Sequence, residues 1–105
     1  MKEVRMETVE DVTHKMTLGI ANGLHLAPIS RVVKSINNLD CQIQIEFDGR
    51  SADARSASDL MLLAATHGAP LTLVAHGPDA QEAVRAVVAI LENPEPPRET
   101  PARPR

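Results

Sequence analysis

Apolar residues recur along this chain with a period of two in four segments and with helical spacing in three, and the order of these segments limits the fold. Alternation predicts strands and helical spacing predicts helices, in the order strand, helix, strand, strand, helix, strand, helix. Two strand–helix–strand units joined by a hairpin predict an α+β domain, with a mostly antiparallel four-stranded sheet and helices on one face. The order of the strands within the sheet stays open, and a ferredoxin-like order is one of the alternatives.

Turn and start signals mark the first half of this pattern. Pro28 suits the first turn of a helix and disfavours helical geometry at Ala27. Asp48-Gly49 predicts a hairpin between the second and third strands. The apolar residues of these elements are Val12, Met16, Leu18, Ile20, Ile29, Val32, Val33, Ile36, Cys41, Ile43, Ile45 and Phe47.

Similar signals mark the second half. Ser56 with Asp59 three residues later has the spacing of a capping box, so we expect a short helix from there to near His67-Gly68. Gly77-Pro78-Asp79 opens the last helix. The apolar residues assigned to the core in this half are Ala52, Ala54, Met61, Leu71, Leu73, Ala75, Ala83, Val84, Val87, Val88 and Leu91.

Composition divides the chain into three parts. Residues 93–105 hold five of the eight prolines and almost no apolar side chains, so we expect a disordered or polyproline-like tail. Residues 1–11 are weakly patterned and are expected to form an N-terminal extension that prolongs the first strand or frays. The folded domain is therefore expected to span residues 12–92, which is long enough to bury one core.

Composition also narrows the classes of function. One aromatic residue and a formal net charge of -3 argue against nucleic-acid binding by base stacking or by phosphate contacts. The single cysteine, Cys41, excludes an intrachain disulfide, and no residues have metal-ligand spacing, so we expect no metal and no cofactor. No apolar run is long enough to span a bilayer and no signal-peptide pattern is present. We expect a cytoplasmic monomer.

His25 is the residue that best fits a chemical role. It lies between the Gly23 break and the start of the first helix, where free N–H groups and the helix dipole favour an anion. The same dipole disfavours the protonated imidazole, which leaves a neutral nucleophile near pH 7. Backbone donors at Leu26 and Ala27 would hold a phosphoryl group on His25. An incidental loop histidine is the alternative that geometry leaves open.

The segment Gly23-Leu24-His25-Leu26-Ala27-Pro28 resembles the active-site segment of HPr, the histidine phosphocarrier of the bacterial phosphotransferase system, whose pattern is Gly-Leu-His-Ala-Arg-Pro-Ala. Asp53-Ala54-Arg55-Ser56 resembles the Asn-Ala-Lys-Ser that precedes that family's short second helix, and the resemblance covers residues 12–92. It implies an open-faced β-sandwich, in which three helices cover one face of a four-stranded antiparallel sheet. It also implies that His25 takes a phosphoryl group from a phosphoenolpyruvate-dependent enzyme I and passes it to an enzyme IIA domain or a regulator.

Two departures from the family pattern bear on this function. The arginine that follows the family's histidine by two residues is Ala27 here, which removes a charge-assisted hydrogen bond worth about 1.5–3 kcal/mol. Arg31, one helical turn beyond Ala27, is a candidate replacement, although a solvated surface charge is the simpler interpretation. The apolar Ile-Met-Gly that follows the family's serine is replaced by Ala57, Ser58 and Asp59, which puts docking of the usual acidic partners in doubt.

Ser56 resembles the family's regulatory serine, which HPr kinase/phosphorylase phosphorylates in some bacteria. A serine at a helix N-cap also satisfies free N–H groups and stabilises the helix by about 1 kcal/mol without any kinase. Because the residues after Ser56 differ from the family pattern, the capping role is the favoured interpretation.

These observations give one leading hypothesis and two alternatives. The leading hypothesis is a stoichiometric phosphoryl carrier, not a turnover enzyme, with His25 as the acceptor. The first alternative is a regulatory binding module of the same fold that carries no phosphate. The second, a ferredoxin-like domain that binds a small molecule, rests on the order of elements only.

Overall fold

The computed structural model describes residues 10–92, and the predicted order of elements is confirmed. The elements are β1 (Glu10–Thr17), α1 (Leu26–Ile36), β2 (Gln42–Phe47), β3 (Arg50–Asp53), α2 (Ala57–Leu63), β4 (Pro70–Gly77) and α3 (Ala80–Glu92). The tail predicted at residues 93–105 lies outside the described residues, as does most of the predicted N-terminal extension. Across residues 10–92, none of the helices combines the length and the hydropathy that crossing a membrane requires.

The sheet has the order β1-β4-β2-β3, and every neighbouring pair is antiparallel. A ferredoxin-like order would place β1 and β3 side by side at the centre of the sheet. Here both are edge strands, and β4 and β2 form the centre. The ferredoxin-like alternative is therefore wrong, because the last strand returns between the first strand and the hairpin.

The core lies between one face of the sheet and the three helices. Alternate strand residues such as Ile43, Ile45 and Leu73 are buried against helix residues such as Ile29 and Val87. No polar or charged side chain within residues 11–92 is buried. Each fully buried aliphatic side chain contributes about 1.5–3 kcal/mol relative to exposure. One face of the sheet is covered and the other open, as expected for an open-faced β-sandwich.

The hairpin between β2 and β3 forms at the predicted turn. Asp48 and Gly49 both have positive φ, 55° and 77°. That combination is typical of a type I′ turn, whose twist matches the flanking strands. The turn fixes the register in which Ile45 lies opposite Ala52, so that both side chains point into the core.

Helix α1 begins two residues earlier than Pro28 predicts. Leu26 and Ala27 are both helical, so the expectation of non-helical geometry at Ala27 is wrong. The first helical hydrogen bond runs from Ile29 N to His25 O at 3.1 Å. Pro28 is therefore still in the first turn, where a missing N–H costs nothing because that position has no intrahelical acceptor.

Helix α2 ends earlier than the expected stop near His67-Gly68. Its last residue is Leu63, and Ala64 follows with left-handed backbone geometry, φ 56° and ψ 34°. The reversal at Ala64 turns Ala65 back into the core. His67 consequently lies in an exposed loop and does not serve as the C-terminal residue of a helix.

Candidate functional site

His25 is the N-cap residue of α1 and its side chain is exposed. Its backbone is extended, with φ -130° and ψ -176°, and its ring makes no capping hydrogen bond to the helix. The side chain therefore does not fill the space at the helix start, and the imidazole faces solvent.

The first turn of α1 offers backbone donors without intrahelical acceptors. The N–H groups of Leu26 and Ala27 precede the first residue whose N–H can bond within the helix, and Pro28 has no N–H. The first turn contains no acidic residue. Two amides and the positive end of the helix dipole thus face the position that an anion beside His25 would occupy.

The loop before His25 is anchored to the segment that follows α2. Leu24 N donates to Ala65 O at 3.0 Å, and Gly23 N donates to Ile20 O at 2.9 Å. Gly23 has a φ of 76°, and a Cβ at this position would lie 2.7 Å from Ala65 O. Only glycine allows this approach without displacing the backbone. Gly23 therefore sets the position from which His25 enters the helix.

Arg31 lies on α1 four residues after Ala27, and its side chain is exposed. One helical turn separates the two residues, a rise of about 6 Å along the axis. Arg31 thus lies on the helix that begins at His25 and is further from the helix start than the free amides. Ala27 is exposed, so a longer side chain at this position would extend into solvent at the start of the helix.

Ser56 is the N-cap residue of α2, and its Oγ accepts a hydrogen bond from Asp59 N at 3.2 Å. The reverse bond of a capping box is absent from this helix start, because Ser56 N donates to Asp53 O at 2.9 Å. The Asp59 carboxylate instead accepts from Asp53 N at 3.5 Å. Ser56 thus has the geometry of a structural cap.

Two carboxylates lie near Ser56, and the guanidinium of the adjacent Arg55 is directed elsewhere. Asp53 and Asp59 both have exposed side chains beside the start of α2. The Arg55 guanidinium donates to Leu39 O at 2.6 Å and to Cys41 O at 2.9 Å, which ties it to the segment before β2. A phosphate on Ser56 would therefore face two carboxylates.

Cys41 is half-buried and lies beside the Arg55 guanidinium. Burial raises the pKa of the Cys41 thiol above its ordinary value, and Arg55 opposes this rise. The thiol is therefore protonated at neutral pH. Cys41 is therefore a small, weakly nucleophilic residue at the edge of the core.

Sequence reasoning missed the exposed apolar side chains around α1 and α2. Leu26, Met61 and Leu62 are 62%, 52% and 74% exposed. The assignment of Met61 to the core is wrong, whereas Met16 is buried as expected. The exposure of some of these residues can be predicted from the sequence. Four consecutive apolar residues, 60–63, cannot all face the core, because successive helical residues point about 100° apart.

The other histidines are not part of this arrangement. His76 on β4 is hydrogen-bonded through Nδ1 to the carboxylate of Asp11 on β1, and both side chains are exposed. His14 is half-buried on β1. In the part of the chain that the structure describes, no three histidine, cysteine or carboxylate side chains are grouped as metal ligands would be.

Comparison with known proteins identifies a group of similar sequences. The sequence model of the family described as "PTS HPr component phosphorylation site" matches residues 12–93. The phosphocarrier protein HPr of Vibrio cholerae is 38% identical over 71 residues, which cover 68% of this chain and 84% of that protein. The HPr-like protein Crh of Halalkalibacterium halodurans is 35% identical over 81 residues, which cover 77% of this chain and 96% of that protein.

A solved structure has the same arrangement of elements. The crystal structure of a phosphocarrier protein HPr from Bacillus anthracis matches with a TM-score of 0.73 and 32% sequence identity. The match covers 77% of this chain and 96% of that chain. The likeness therefore extends over the whole fold and is not confined to the segment around His25.

Proposed function

Because this chain belongs to the HPr family of phosphotransferase-system proteins, we propose that it carries a phosphoryl group on His25. The observation that carries the proposal is the open start of α1. An exposed histidine lies there beside two amides that have no intrahelical acceptors, and the first turn of the helix contains no acidic residue. This arrangement offers a nucleophile and an anion site together.

The transfer needs little from the protein besides position and charge. The lone pair of an unprotonated nitrogen of His25 attacks phosphorus, so an N–P bond forms while the donor's bond to phosphorus breaks and the donor keeps that electron pair. The same exchange in reverse passes the group to a receiver. The Leu26 and Ala27 amides stabilise the phosphoryl oxygens as negative charge builds on them. The protein is thus a stoichiometric carrier, since the group that arrives is the group that leaves.

The proposed partners follow from the family. The donor is a phosphoenolpyruvate-dependent enzyme I, and the receiver is an enzyme IIA domain or a regulator. The proposal takes the carrier to be a cytoplasmic monomer. It assigns no phosphorylation to Ser56, because the hydroxyl caps α2 and lies between Asp53 and Asp59.

Labelling with the cognate enzyme I tests the proposal. Incubation with this enzyme and labelled phosphoenolpyruvate should place acid-labile phosphate on the wild type and none on His25→Ala. His67→Ala is the matched control, because His67 is an exposed loop histidine and its loss should leave the label unchanged. If neither the wild type nor Ala27→Arg is labelled while both are folded, the proposal is wrong.

A regulatory binding module that carries no phosphate is the second candidate. It is favoured by the absence of a guanidinium at Ala27 and by the polar first turn of α2, where Ser58 and Asp59 are exposed. The same labelling experiment separates the two candidates. Binding of His25→Ala and wild type to a partner with equal affinity, without label on either, would support the module.

A further inference from the structure

We propose that the outer edge of β1 and the groove between β1 and α3 bind an extended peptide segment of a partner protein, one whose groove-facing side chains, at every second position, are apolar, acidic and apolar. This inference goes beyond phosphoryl transfer, since the groove contains none of the residues at the start of α1. Two independent features of the fold point to the same kind of occupant.

The first feature is the outer edge of β1. Among the strands that the structure describes, β1 pairs only with β4 and lies at the end of the sheet over eight residues, Glu10–Thr17. An edge strand presents main-chain N–H and C=O groups that another strand can pair with. β3, the opposite edge strand, has only four residues, and Asp53 at its end already bonds to Asp59 and Ser56. β1 is therefore the better edge strand for pairing with a strand of another protein.

The second feature is a groove of about 310 Å³ beside that edge. Its floor is apolar, formed by Val12 of β1 with Val84 and Val88 of α3. Residues 12 and 14 face inward, so a strand added outside β1 would direct alternate side chains toward the groove. The remaining lining residues are His14, Gln81, Arg85 and Ala89.

The charge of the groove selects the occupant. Of the described residues that line it, Arg85 carries a positive charge, His14 and Gln81 can donate hydrogen bonds, and none carries a carboxylate. A segment with an acidic side chain two residues from an apolar one on each side would direct all three toward the groove. The acidic group would complement Arg85, and the apolar groups would be buried against Val84 and Val88. Strand addition of this type draws affinity from main-chain hydrogen bonds and specificity from alternate side chains.

A pair of synthetic peptides tests the site. The probe is acetylated Thr-Val-Thr-Glu-Thr-Val-Thr amide, in which Val, Glu and Val share one face of the strand, and the matched peptide has Lys in place of Glu. Both are titrated into the isotope-labelled full chain and followed by NMR. We expect the Glu peptide to shift the amide signals of β1 and of residues 81–89, and to bind about tenfold more tightly than the Lys peptide. Amide exchange along the outer edge of β1 should slow, which binding to the groove without strand pairing would not cause.

Variants connect the binding to the named residues. Arg85→Glu should reverse the preference between the two peptides, and Ala89→Asp, at an exposed lining position, should weaken the Glu peptide. Glu46→Gln, an exposed β2 residue outside the groove, is the control and should bind as the wild type does. Equal binding of both peptides, shifts that map elsewhere, or an edge already protected in the free protein by a second copy would each overturn the proposal.

Discussion

The starts of α1 and α2 have the same backbone form and opposite chemistry. Both N-cap residues, His25 and Ser56, are extended, and a helix follows each of them directly. At α2 the Ser56 hydroxyl accepts a bond from the third helical residue, Asp59, whose carboxylate adds negative charge. At α1 the third residue is Pro28 and the N-cap side chain accepts nothing.

This difference shows what makes a helix start available as an anion-binding site. Every helix start has free N–H groups and a partial positive charge. At α2 oxygen atoms of the protein itself occupy that position, and the result is stability. At α1 the position is left to an external anion, and a nucleophilic ring stands beside it. Substitutions that make the start of α1 more like that of α2, or the reverse, test this difference. Removal of a distant segment tests whether the difference depends on the rest of the chain.

The largest effect is expected from giving α1 the negative charge that α2 has. In Ala27→Asp a carboxylate at the start of α1 would repel the phosphoryl group by roughly 1.5–3 kcal/mol. Phosphoryl transfer from enzyme I should fall by about 10–100-fold. Rapid-quench labelling measures the rate. Ala27→Asn has nearly the same shape without the charge, and an equal loss in that variant would show that size, not charge, is responsible.

A positive charge at position 27 should increase the difference between the starts of α1 and α2. Ala27→Arg places a guanidinium beside the free amides and should speed transfer by about tenfold through a charge-assisted hydrogen bond. Circular dichroism should not change, because position 27 is exposed. Slower transfer in a folded variant would mean that the backbone donors, or Arg31, already serve the phosphoryl group.

Removing the cap of α2 should cost stability and leave transfer intact. Ser56→Ala should lower the free energy of unfolding by about 0.5–2 kcal/mol, because the Asp59 amide loses its acceptor. Urea denaturation measures this change. Ser51→Ala is the control, since Ser51 is exposed on β3 and does not cap α2. Label from HPr kinase/phosphorylase on wild-type Ser56 would contradict a purely structural role.

The smallest effect is expected from removing residues 93–105. This segment holds five prolines and almost no apolar side chain to bury, so the melting temperature should stay nearly constant. Differential scanning calorimetry of the two chains makes the comparison. A drop of several degrees would show that the segment packs on the folded domain.

The sequence predicted the elements well because each depends on a local pattern. The alternation around Ile43 and Ile45 and the turn at Asp48-Gly49 need no distant partner to be recognised. The same is true of Ser56, whose capping role follows from its place before an apolar helix.

What the sequence did not predict depends on contacts between distant segments. Helix α1 starts at Leu26, two residues after Leu24, whose amide is bonded to Ala65, some forty residues away. Helix α2 ends early because Ala64 adopts a left-handed conformation that glycine usually marks, and no glycine is present. The strand order was open for the same reason, since periodicity says which residues face inward and not which strand lies beside which.

The pairing of β1 with β4 has a consequence for how the protein is made. Glu10 lies opposite Gly77, and β1 has no other strand partner within residues 10–92. A nascent chain that has reached only the hairpin can form β2 and β3 but cannot complete the sheet. The first strand, with Met16 and the residues that lead to His25, must wait until β4 leaves the ribosome. Contacts of such long sequence separation slow folding. Ribosome-bound chains that stop before Pro70 should therefore remain sensitive to protease and unable to accept phosphate.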